Sequence, residues 1–321
     1  MDYIKANHQG FSFDTKLGQV FTNKPTTLVE EKNIIKLRND RQITDDDMMI
    51  VKFLFNYRFG TAEILYRYLR NSAKSGADFI KDLNRLTRLR IINSFALMDI
   101  TGVGAGVKTE IPRDAMLIYC LDIGGRILME HFHNADTTAW YTTENMRGPE
   151  KIEKDLISNV FLIRLLMDCD FESNSQNYYQ TNPSFSLGKM KVIPSFEMRI
   201  MVGDTPKYYL GEIVRRYEFP VEFRDHFSKL DSVLSTNAWK KHFYDQEKVP
   251  TIFFICEDDA HALEVARQVS SFESLDVDTG FRLTTDERLS RGLGAKGAFL
   301  SYDKNLNALQ EKTMGAFRKL N

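Results

Sequence analysis

Cysteine is scarce in this 321-residue chain, with three residues far apart at Cys120, Cys169 and Cys256. They form no CxxC pair, which argues against a cysteine-rich metal site or a disulfide framework and is typical of a reducing cytoplasm. No run of about 18 apolar residues occurs either, so the sequence predicts no membrane-spanning helix. The N-terminal stretch MDYIKANHQG has no apolar core. We therefore expect no signal peptide and a cytoplasmic protein.

An excess of either charge is also missing, since 43 Lys and Arg residues balance 44 Asp and Glu residues to a net charge of -1. This balance excludes a protein that coats nucleic acid through overall positive charge, but it leaves room for a local basic face. Hydrophobic residues make up 43% and aromatic residues 12% of the chain, which is typical of a globular protein. The length predicts two domains.

Residues 1–43 are the first of four segments and show only weak patterning. They predict a surface arm that packs on the next domain. An arm that contacts DNA or a partner chain is the alternative. A short helix is expected between Val29 and Arg41.

Residues 44–132 predict three short helices followed by two strands. Thr44, followed by three aspartates, predicts the start of the first helix, because a hydroxyl can cap free N–H groups and carboxylates suit the positive end of the helix dipole. Thr61 caps the second helix, and the third covers about 76–90. A hairpin that ends at the glycine pair 124–125 follows. This order is that of a winged helix-turn-helix, an α+β fold that binds DNA.

The third helix separates two kinds of side chain. With about 100° between successive residues, three apolar residues share one face: Phe79, Leu83 and Leu86. Three cations share the opposite face: Lys81, Arg85 and Arg88. In a helix-turn-helix the corresponding helix enters the major groove, where basic side chains also neutralise phosphates. The alternative is the solvated face of a structural helix, which Asp78 and Asp82 favour because they interrupt the cations.

A glycine-rich loop, TGVGAGVKTEIPRD, joins the two strands of the predicted hairpin. It does not match a nucleotide-binding P-loop, because Val107 separates Gly106 from Lys108 and a strand rather than a helix follows. We interpret it as the tip of a wing that reaches the DNA backbone. The predicted DNA contacts come from the third helix and this loop: Lys74, Ser75, Lys81, Asn84, Arg85, Arg88, Lys108 and Arg113.

Residues 133–172 predict a linker and a long amphipathic connecting helix that begins near Pro149. Residues 173–321 change to a pattern of strands and helices in the order α-β-β-β-α-β-α, with one long strand expected over GKMKVIPSFEMRIMVG. The run VPTIFFICED is apolar throughout its centre, which is typical of a strand in a sheet covered on both faces. The second domain is therefore expected to be α/β with a mixed sheet.

This order resembles the restriction-endonuclease-like core, the PD-(D/E)xK fold. In that fold a Pro-Asp pair and a Glu-x-Lys motif on the next strand supply two carboxylates that hold a metal ion and a lysine that helps to activate water. Here Ser195 follows Pro194. The next strand has Glu212 in the expected place, with Val214 instead of the lysine. The resemblance implies a domain that has kept the fold and lost the chemistry, with Glu197 and Glu212 as vestigial carboxylates and no metal or other cofactor.

The whole arrangement resembles the replication-relaxation family, which is similar to mobilisation accessory proteins of plasmids and integrative elements. The resemblance covers about 44–270 and is carried by the architecture and by six stretches: GADFIKDLNRLTRLRII, EKDLISNVFLIRLL, VIPSFEMRI, YYLGEIVRR, FSKLDSV and VPTIFFICED. Members of the family commonly have Pro-Asp where this chain has Pro194 and Ser195. The resemblance implies binding at an origin and recruitment of a relaxase or coupling protein.

The function expected from the sequence is sequence-specific binding of double-stranded DNA in the replication or conjugative transfer of a mobile element. The expected partners are this DNA, a relaxase or coupling protein, and a second copy of the chain. An active metal-dependent endonuclease that uses Glu197 and Glu212 is one alternative. A transcriptional regulator whose C-terminal domain senses a ligand or dimerises is the other.

Overall fold

The computed structural model describes most of the chain: residues 14, 16–25, 29–69, 74–101, 109–138, 140–169, 171–243, 249–272 and 280–317. These residues form two compact units, of which unit one reaches to Asn159 and unit two begins at Val160. Within the described ranges, no helix is long and apolar enough to cross a lipid bilayer. The three cysteines are buried free thiols.

Unit one combines helices with a small antiparallel sheet. Its helices are α1 (Glu31–Asn39), α2 (Asp45–Tyr57), α3 (Ala62–Tyr68), α4 (Gly76–Arg88), α5 (Ile123–His133) and the first part of α6 (Pro149–Asp168). Its strands are β1 (Gly18–Phe21), β2 (Phe59–Thr61), β3 (Ile92–Met98) and β4 (Ile118–Leu121). The strand order is β1-β3-β4-β2, and every neighbouring pair is antiparallel.

The helices of unit one begin where the sequence offers a side-chain cap. Thr44 Oγ1 accepts a hydrogen bond from Asp47 N at 3.2 Å, and Asp47 Oδ2 accepts one from Thr44 N at 2.8 Å. Thr61 caps α3, and Ser75 caps α4. Each cap satisfies an N–H group that the end of a helix leaves without a partner. The predicted helix starts at Thr44 and Thr61 are therefore confirmed.

Part of segment 1–43 belongs to the sheet of unit one rather than to a surface arm. Gly18–Phe21 forms β1, which pairs with β3 along its whole length. The rings of Phe21 and Phe95 lie 5.1 Å apart. Main-chain pairing does not require a strong hydrophobic pattern, so weak patterning could not show that this strand joins the sheet.

Gly124 and Gly125 do not end the hairpin but lie in the first turn of α5. A Cβ atom at Gly124 would lie 2.7 Å from the carbonyl oxygen of Arg90, and one at Gly125 would lie 2.5 Å from that of Ile91. The two glycines therefore allow α5 to begin in close contact with this main chain. A glycine pair can therefore indicate that two main-chain segments lie in close contact, and not only that the chain turns.

The connecting helix α6 begins at Pro149, and the boundary between the units falls within it. It is buried along most of its length rather than along one stripe, and its buried residues include polar ones: Glu153, Asp155, Ser158 and Asn159. Asn159 Nδ2 donates to the carbonyl oxygens of Tyr57 and Phe59 at 3.0 and 2.6 Å. Buried polar side chains need hydrogen-bond partners of this kind. The polar residues of α6 therefore lie inside the protein, whereas an amphipathic pattern predicts that they face solvent.

Unit two is built on a larger sheet. Its strands are β5 (Tyr178–Thr181), β6 (Phe185–Leu187), β7 (Met190–Val192), β8 (Phe196–Val202), β9 (Thr205–Ile213), β10 (Thr251–Cys256), β11 (Phe281–Thr285), β12 (Phe299–Asp303) and β13 (Ala308–Lys312). Its helices are the rest of α6, α7 (Val221–Ser235), α8 (Asp259–Val269) and α9 (Asp286–Arg291). Short 3₁₀ turns cover Phe171–Ser173, Ala238–Lys241 and Gly315–Phe317, and a fourth in unit one covers Thr142–Asn145.

The large sheet has the order β13-β12-β11-β10-β9-β8-β5. Strands β9, β10 and β11 are parallel to one another. The remaining neighbours are antiparallel, and β6 and β7 form a separate hairpin. The protein is therefore mixed α/β with a mixed sheet, as predicted.

Both faces of the large sheet are covered. On one face, Phe161 of α6 stacks on Phe196 with ring centroids 4.8 Å apart. On the other face, Phe227 of α7 and Val265 of α8 belong to the same buried cluster as Phe254. The strand β10 is buried on both sides as a result, which is what the apolar run VPTIFFICED predicts.

The stretch expected as one long strand is divided into β7 and β8. The first piece pairs with β6 in the separate hairpin, whereas the second enters the large sheet. Pro194 lies between the two pieces. A proline has no N–H group for a strand hydrogen bond, so the regular strand is interrupted there and begins again at Phe196.

Candidate functional site

The exposed side of α4 has one row of side chains at helical spacing, and the exposed Asp78 lies beside this row. The buried side includes the three residues expected from the periodicity: Phe79, Leu83 and Leu86. The exposed row has the helical spacing of four, three and four residues: Ala77, Lys81, Asn84 and Arg88. The Lys81 side chain is 78% exposed. Three of the predicted DNA-contact residues therefore lie together on one surface.

The contacts within this exposed row are local. Lys81 Nζ lies 2.9 Å from Oδ1 of Asp78, which precedes it by three residues on the helix. The hydrogen bond with Asp78 raises the pKa of the Lys81 ammonium, so the side chain is cationic at neutral pH. Arg88 Nε donates to the carbonyl oxygen of Asn84 at 3.4 Å. Exposed ion pairs contribute little to stability, so a ligand can displace these contacts easily.

Arg85 is held against α2 rather than extending with the exposed row. Its Nη2 lies 2.7 Å from Oδ2 of Asp47, and its Nη1 donates to the carbonyl oxygen of Gln42 at 2.8 Å. The Asp47 side chain is 1% exposed, and the same carboxylate completes the cap of α2. Burial lowers the pKa of the Arg85 guanidinium, but hydrogen bonds to Asp47 and Asp82 raise it by more. Arg85 therefore joins α4 to the start of α2.

Lys74 and Ser75 are engaged at the beginning of α4. Lys74 Nζ lies 2.7 Å from an oxygen of Asp82 and 3.7 Å from one of Asp46. Ser75 Oγ accepts a hydrogen bond from Asp78 N at 3.2 Å and donates one to Asp78 Oδ2 at 2.8 Å. Both side chains are thus used to start the helix and to fix it to its neighbours.

The face that the sequence predicts as cationic is close to neutral in the folded protein. Four cations take part: Lys74, Lys81, Arg85 and Arg88. Four carboxylates lie on the same helix or across from it: Asp46, Asp47, Asp78 and Asp82. Two of these carboxylates come from α2, so only folding brings them to the cations.

The expected wing is described in part. Lys108 lies outside the described residues, together with the rest of 102–108. Arg113 is exposed in the segment that joins β3 to β4. In the part of the chain that the structure describes, no carboxylate forms an ion pair with Arg113. Its charge is therefore available to a ligand.

The two carboxylates that the sequence analysis singled out in unit two, Glu197 and Glu212, lie on one face of the β8–β9 pair. Glu197 lies opposite Leu210, and Glu212 follows Leu210 by two residues, so all three side chains point the same way. Ser195, at the position where the sequence resemblance leads one to expect a first carboxylate, accepts a hydrogen bond from Ile213 N at 3.1 Å. The serine hydroxyl therefore connects the two strands.

Glu197 is a buried carboxyl group at 5% exposure. Burial raises its pKa to about 7, although a hydrogen bond with Tyr178 opposes this shift. Its Oε2 has no hydrogen-bond partner among the described residues. Glu197 therefore titrates near neutral pH, as no glutamate in water does.

Glu212 has a partner that the sequence analysis missed. Its Oε1 lies 3.0 Å from Nε2 of His226, which lies on α7. Glu212 is 5% exposed. The His226 side chain is 35% exposed, so the pair reaches the surface through the imidazole. No local motif marks these two residues, because only the packing of α7 on the sheet brings them together.

The carboxylates do not form a larger cluster of ligands. Over the residues that the structure describes, no group of three His, Cys, Asp or Glu side chains is arranged to hold a metal ion. The arginines that follow β9 have other partners. Arg215 is fully buried, and its two Nη atoms lie 3.0 and 2.9 Å from the oxygens of Asp286. Arg216 Nη2 lies 2.7 Å from Asp258. These pairs join the segments that follow the parallel strands β9, β10 and β11.

Comparisons with protein-family models, with curated proteins and with solved structures find no match for this chain.

Proposed function

We propose that this protein binds double-stranded DNA through unit one, with α4 as the helix that enters the major groove. The proposal is based on the exposed row of side chains on α4 and on the order of the helices and strands around this helix. The chain runs α2, β2, α3, α4, β3 and β4, and both β2 and β3 pair with β4. This is the order of a winged helix-turn-helix, in which the helix before the hairpin reads the base edges.

The chemistry of the exposed row suits a mixture of base and phosphate contacts. An asparagine can donate to and accept from the edge of an adenine, and an arginine can donate twice to a guanine. Asn84 and Arg88 are four residues apart and lie on the same side of the helix. Lys81 supplies a phosphate contact, and Arg113 supplies another from the segment between β3 and β4.

The near-neutral charge of the α4 face determines how strongly the affinity for DNA should depend on salt concentration. Lys74 and Arg85 are already paired with aspartates, so few cations remain to release counterions from DNA. Each neutralised phosphate contributes a slope of about 0.9 to the dependence of log affinity on log salt concentration. We therefore expect a shallow salt dependence and an affinity that depends strongly on the base sequence.

We further propose that binding serves the replication or conjugative transfer of a mobile element, and that the protein recruits a relaxase or coupling protein at an origin. The resemblance of the sequence to the replication-relaxation family, over about 44–270, is the support for this part of the proposal. Footprinting on the DNA of the element that encodes the protein tests it. We expect one protected site close to the origin of transfer or replication, and protection elsewhere or nowhere would contradict it.

The role of α4 is tested with two variants of the full chain. Joint replacement of Lys81 and Arg88 by Ala is expected to remove the footprint, because both side chains are exposed and neither supports the core. Lys52→Ala is the matched control, since Lys52 is an exposed lysine on α2. A footprint that survives the double change, or that is lost equally in the control, would contradict the assignment.

We propose that unit two serves as a docking platform and does not cleave DNA. Glu212 is paired with His226, Glu197 is buried, and a serine stands where the first metal-binding carboxylate is expected. Mg²⁺ prefers several oxygen ligands around one octahedral site. A supercoiled plasmid incubated with the protein and Mg²⁺ or Mn²⁺ should stay intact, and Glu212→Ala should bind DNA like the wild type. Metal-dependent nicking that disappears in Glu212→Ala would instead establish the endonuclease.

A further inference from the structure

Unit two has a cleft on the face of its sheet, at the end that carries β11, β12 and β13. Two cavities of about 290 and 540 Å³ make up this cleft, and both have Arg282 and Lys312 in their walls. The larger one falls within the range of about 300–1,000 Å³ that is usual for small-molecule sites. The cleft contains none of the residues discussed above.

The strand register explains why polar side chains gather here. Arg282 lies opposite Phe253, and Lys312 lies opposite Phe299. Directly paired residues point to the same face of a sheet, so both cations share the face that bears these aromatic rings. Lys207 and Ser301 line the same cleft.

The cleft has more positive than negative charge. Four cations line it: Lys207, Arg282, Lys304 and Lys312. The single carboxylate of its walls, Asp303, accepts hydrogen bonds from the N–H groups of Asn305 and Leu306 and from Gln310 Nε2. Throughout the described ranges, no carboxylate forms an ion pair with Lys207, Lys304 or Lys312. The lysines of the cleft therefore keep their charge for a ligand, unlike the cations beside α4.

The two cavities differ in character. The smaller one is lined in part by apolar and aromatic side chains: Val202, Tyr209, Met314 and Ala316. The larger one is lined mainly by polar and charged side chains, including Ser301 and Lys304. Arg282 and Lys312 lie in the walls of both, at the place where a ligand would pass from the polar part to the apolar part.

We propose that this cleft binds a phosphate-bearing small molecule of nucleotide size. The phosphates would occupy the larger cavity, where lysines and an arginine donate charge-assisted hydrogen bonds, and the base would lie in the smaller one. A molecule of nucleotide size can extend from one cavity into the other past Arg282 and Lys312, whereas a duplex is contacted along a longer surface. The proposal is independent of DNA binding by unit one.

The test is isothermal titration calorimetry of the full chain with ATP, GTP, adenosine and inorganic triphosphate. We expect one nucleoside triphosphate to bind with a stoichiometry of one. Adenosine should fail to bind because it has no phosphate, and triphosphate should bind more weakly because it leaves the apolar cavity empty. Lys312→Gln and Lys304→Gln should each weaken binding by about tenfold, because both lysines line the larger cavity. Lys191→Gln is the matched control, since Lys191 is an exposed lysine on the β6–β7 hairpin.

Several results would overturn the proposal. One is the absence of measurable heat with every phosphate compound at millimolar concentration. Another is unchanged affinity in both Lys304→Gln and Lys312→Gln, with thermal unfolding showing that the variants fold. If inorganic triphosphate binds as tightly as ATP, the smaller cavity contributes nothing to affinity, and the ligand is not a nucleotide. Loss of DNA affinity in Lys312→Gln, without nucleotide binding, would assign the cleft to the DNA backbone.

Discussion

The two places that the sequence marks as functional differ in how much of their chemistry stays available after folding. On α4, Lys81, Asn84 and Arg88 remain in an exposed row. On β8 and β9, both carboxylates are buried, and Glu212 is joined to His226. The polar side chains of the α4 row thus lie at the surface, whereas the two glutamates of β8 and β9 lie within the packing.

This contrast separates binding from stability. An exposed polar side chain costs little to remove, so its replacement should change what the protein binds. A buried ionisable side chain is coupled to folding through its pKa, so its replacement should change stability and its dependence on pH. Variants in the two regions test whether the exposed side chains control binding and the buried ones control stability.

The largest effect is expected from Glu197→Gln in unit two. The folded-state pKa of about 7 lies above the ordinary value of 4.5, so the folded protein holds this proton more tightly than the unfolded chain. The associated stability is fully present below pH 4.5 and is lost as the pH rises through 7. The wild type should therefore lose about 3 kcal/mol over this window relative to the glutamine variant, or about 1.4 kcal/mol for each pH unit.

The measurement is urea unfolding at several pH values, followed by the fluorescence of Trp239, which is buried in unit two. A Trp140→Phe background removes the other tryptophan of the chain. Parallel pH profiles for the wild type and Glu197→Gln would show that this carboxyl group is not coupled to folding.

In unit one, Asn84→Ala should change which DNA sequence is preferred. An amide that reads a base edge discriminates against the wrong base by about 1–3 kcal/mol. Lys81→Ala should instead weaken binding to all sequences and lower the salt slope by about 0.9, because this lysine is proposed to contact a phosphate. Fluorescence anisotropy on a set of single-base variants of the footprinted site, at several salt concentrations, distinguishes these outcomes. Equal effects of both changes on every sequence would exclude base reading by Asn84.

Arg85→Ala should behave as an exception within α4, because it should lower stability rather than alter the DNA site. Its loss leaves the Asp47 carboxylate, which is 1% exposed, without its cation. We expect the free energy of unfolding of unit one to fall by about 1–2 kcal/mol. Urea unfolding followed by Trp140 fluorescence measures this change. Lys81→Ala is the control on the same helix, and an equal loss of stability in both variants would contradict the distinction.

The smallest effect is expected from Arg113, in the segment between β3 and β4. Arg113 is exposed and lies outside α4, so Arg113→Ala should weaken binding by about threefold and equally for all sequences, as the loss of a backbone contact does. Anisotropy with the footprinted site and with an unrelated duplex gives both affinities. A change in the preferred sequence would show that the wing reads bases.

Sequence reasoning predicted the elements better than the contacts between them. The cap at Thr44, the buried side of α4 and the buried strand β10 follow from hydroxyl residues and apolar spacing. The strand β1 and the glycine contacts of α5 were missed, because each depends on main-chain groups of distant residues. His226 was missed because its side-chain contact with Glu212 forms only when α7 packs on the sheet.

What the sequence by itself determined is local: where helices begin, which side of a helix is apolar and which strand is buried. These properties arise from side-chain volume, hydroxyl caps and spacing within a few residues. Only the tertiary structure decided which charges remain available. Arg85 and Asp47 are 38 positions apart, and Glu212 and His226 are 14 positions apart. An ion pair depends on distance in space, so a row of cations in a sequence becomes a binding surface only where folding brings no carboxylate to meet it.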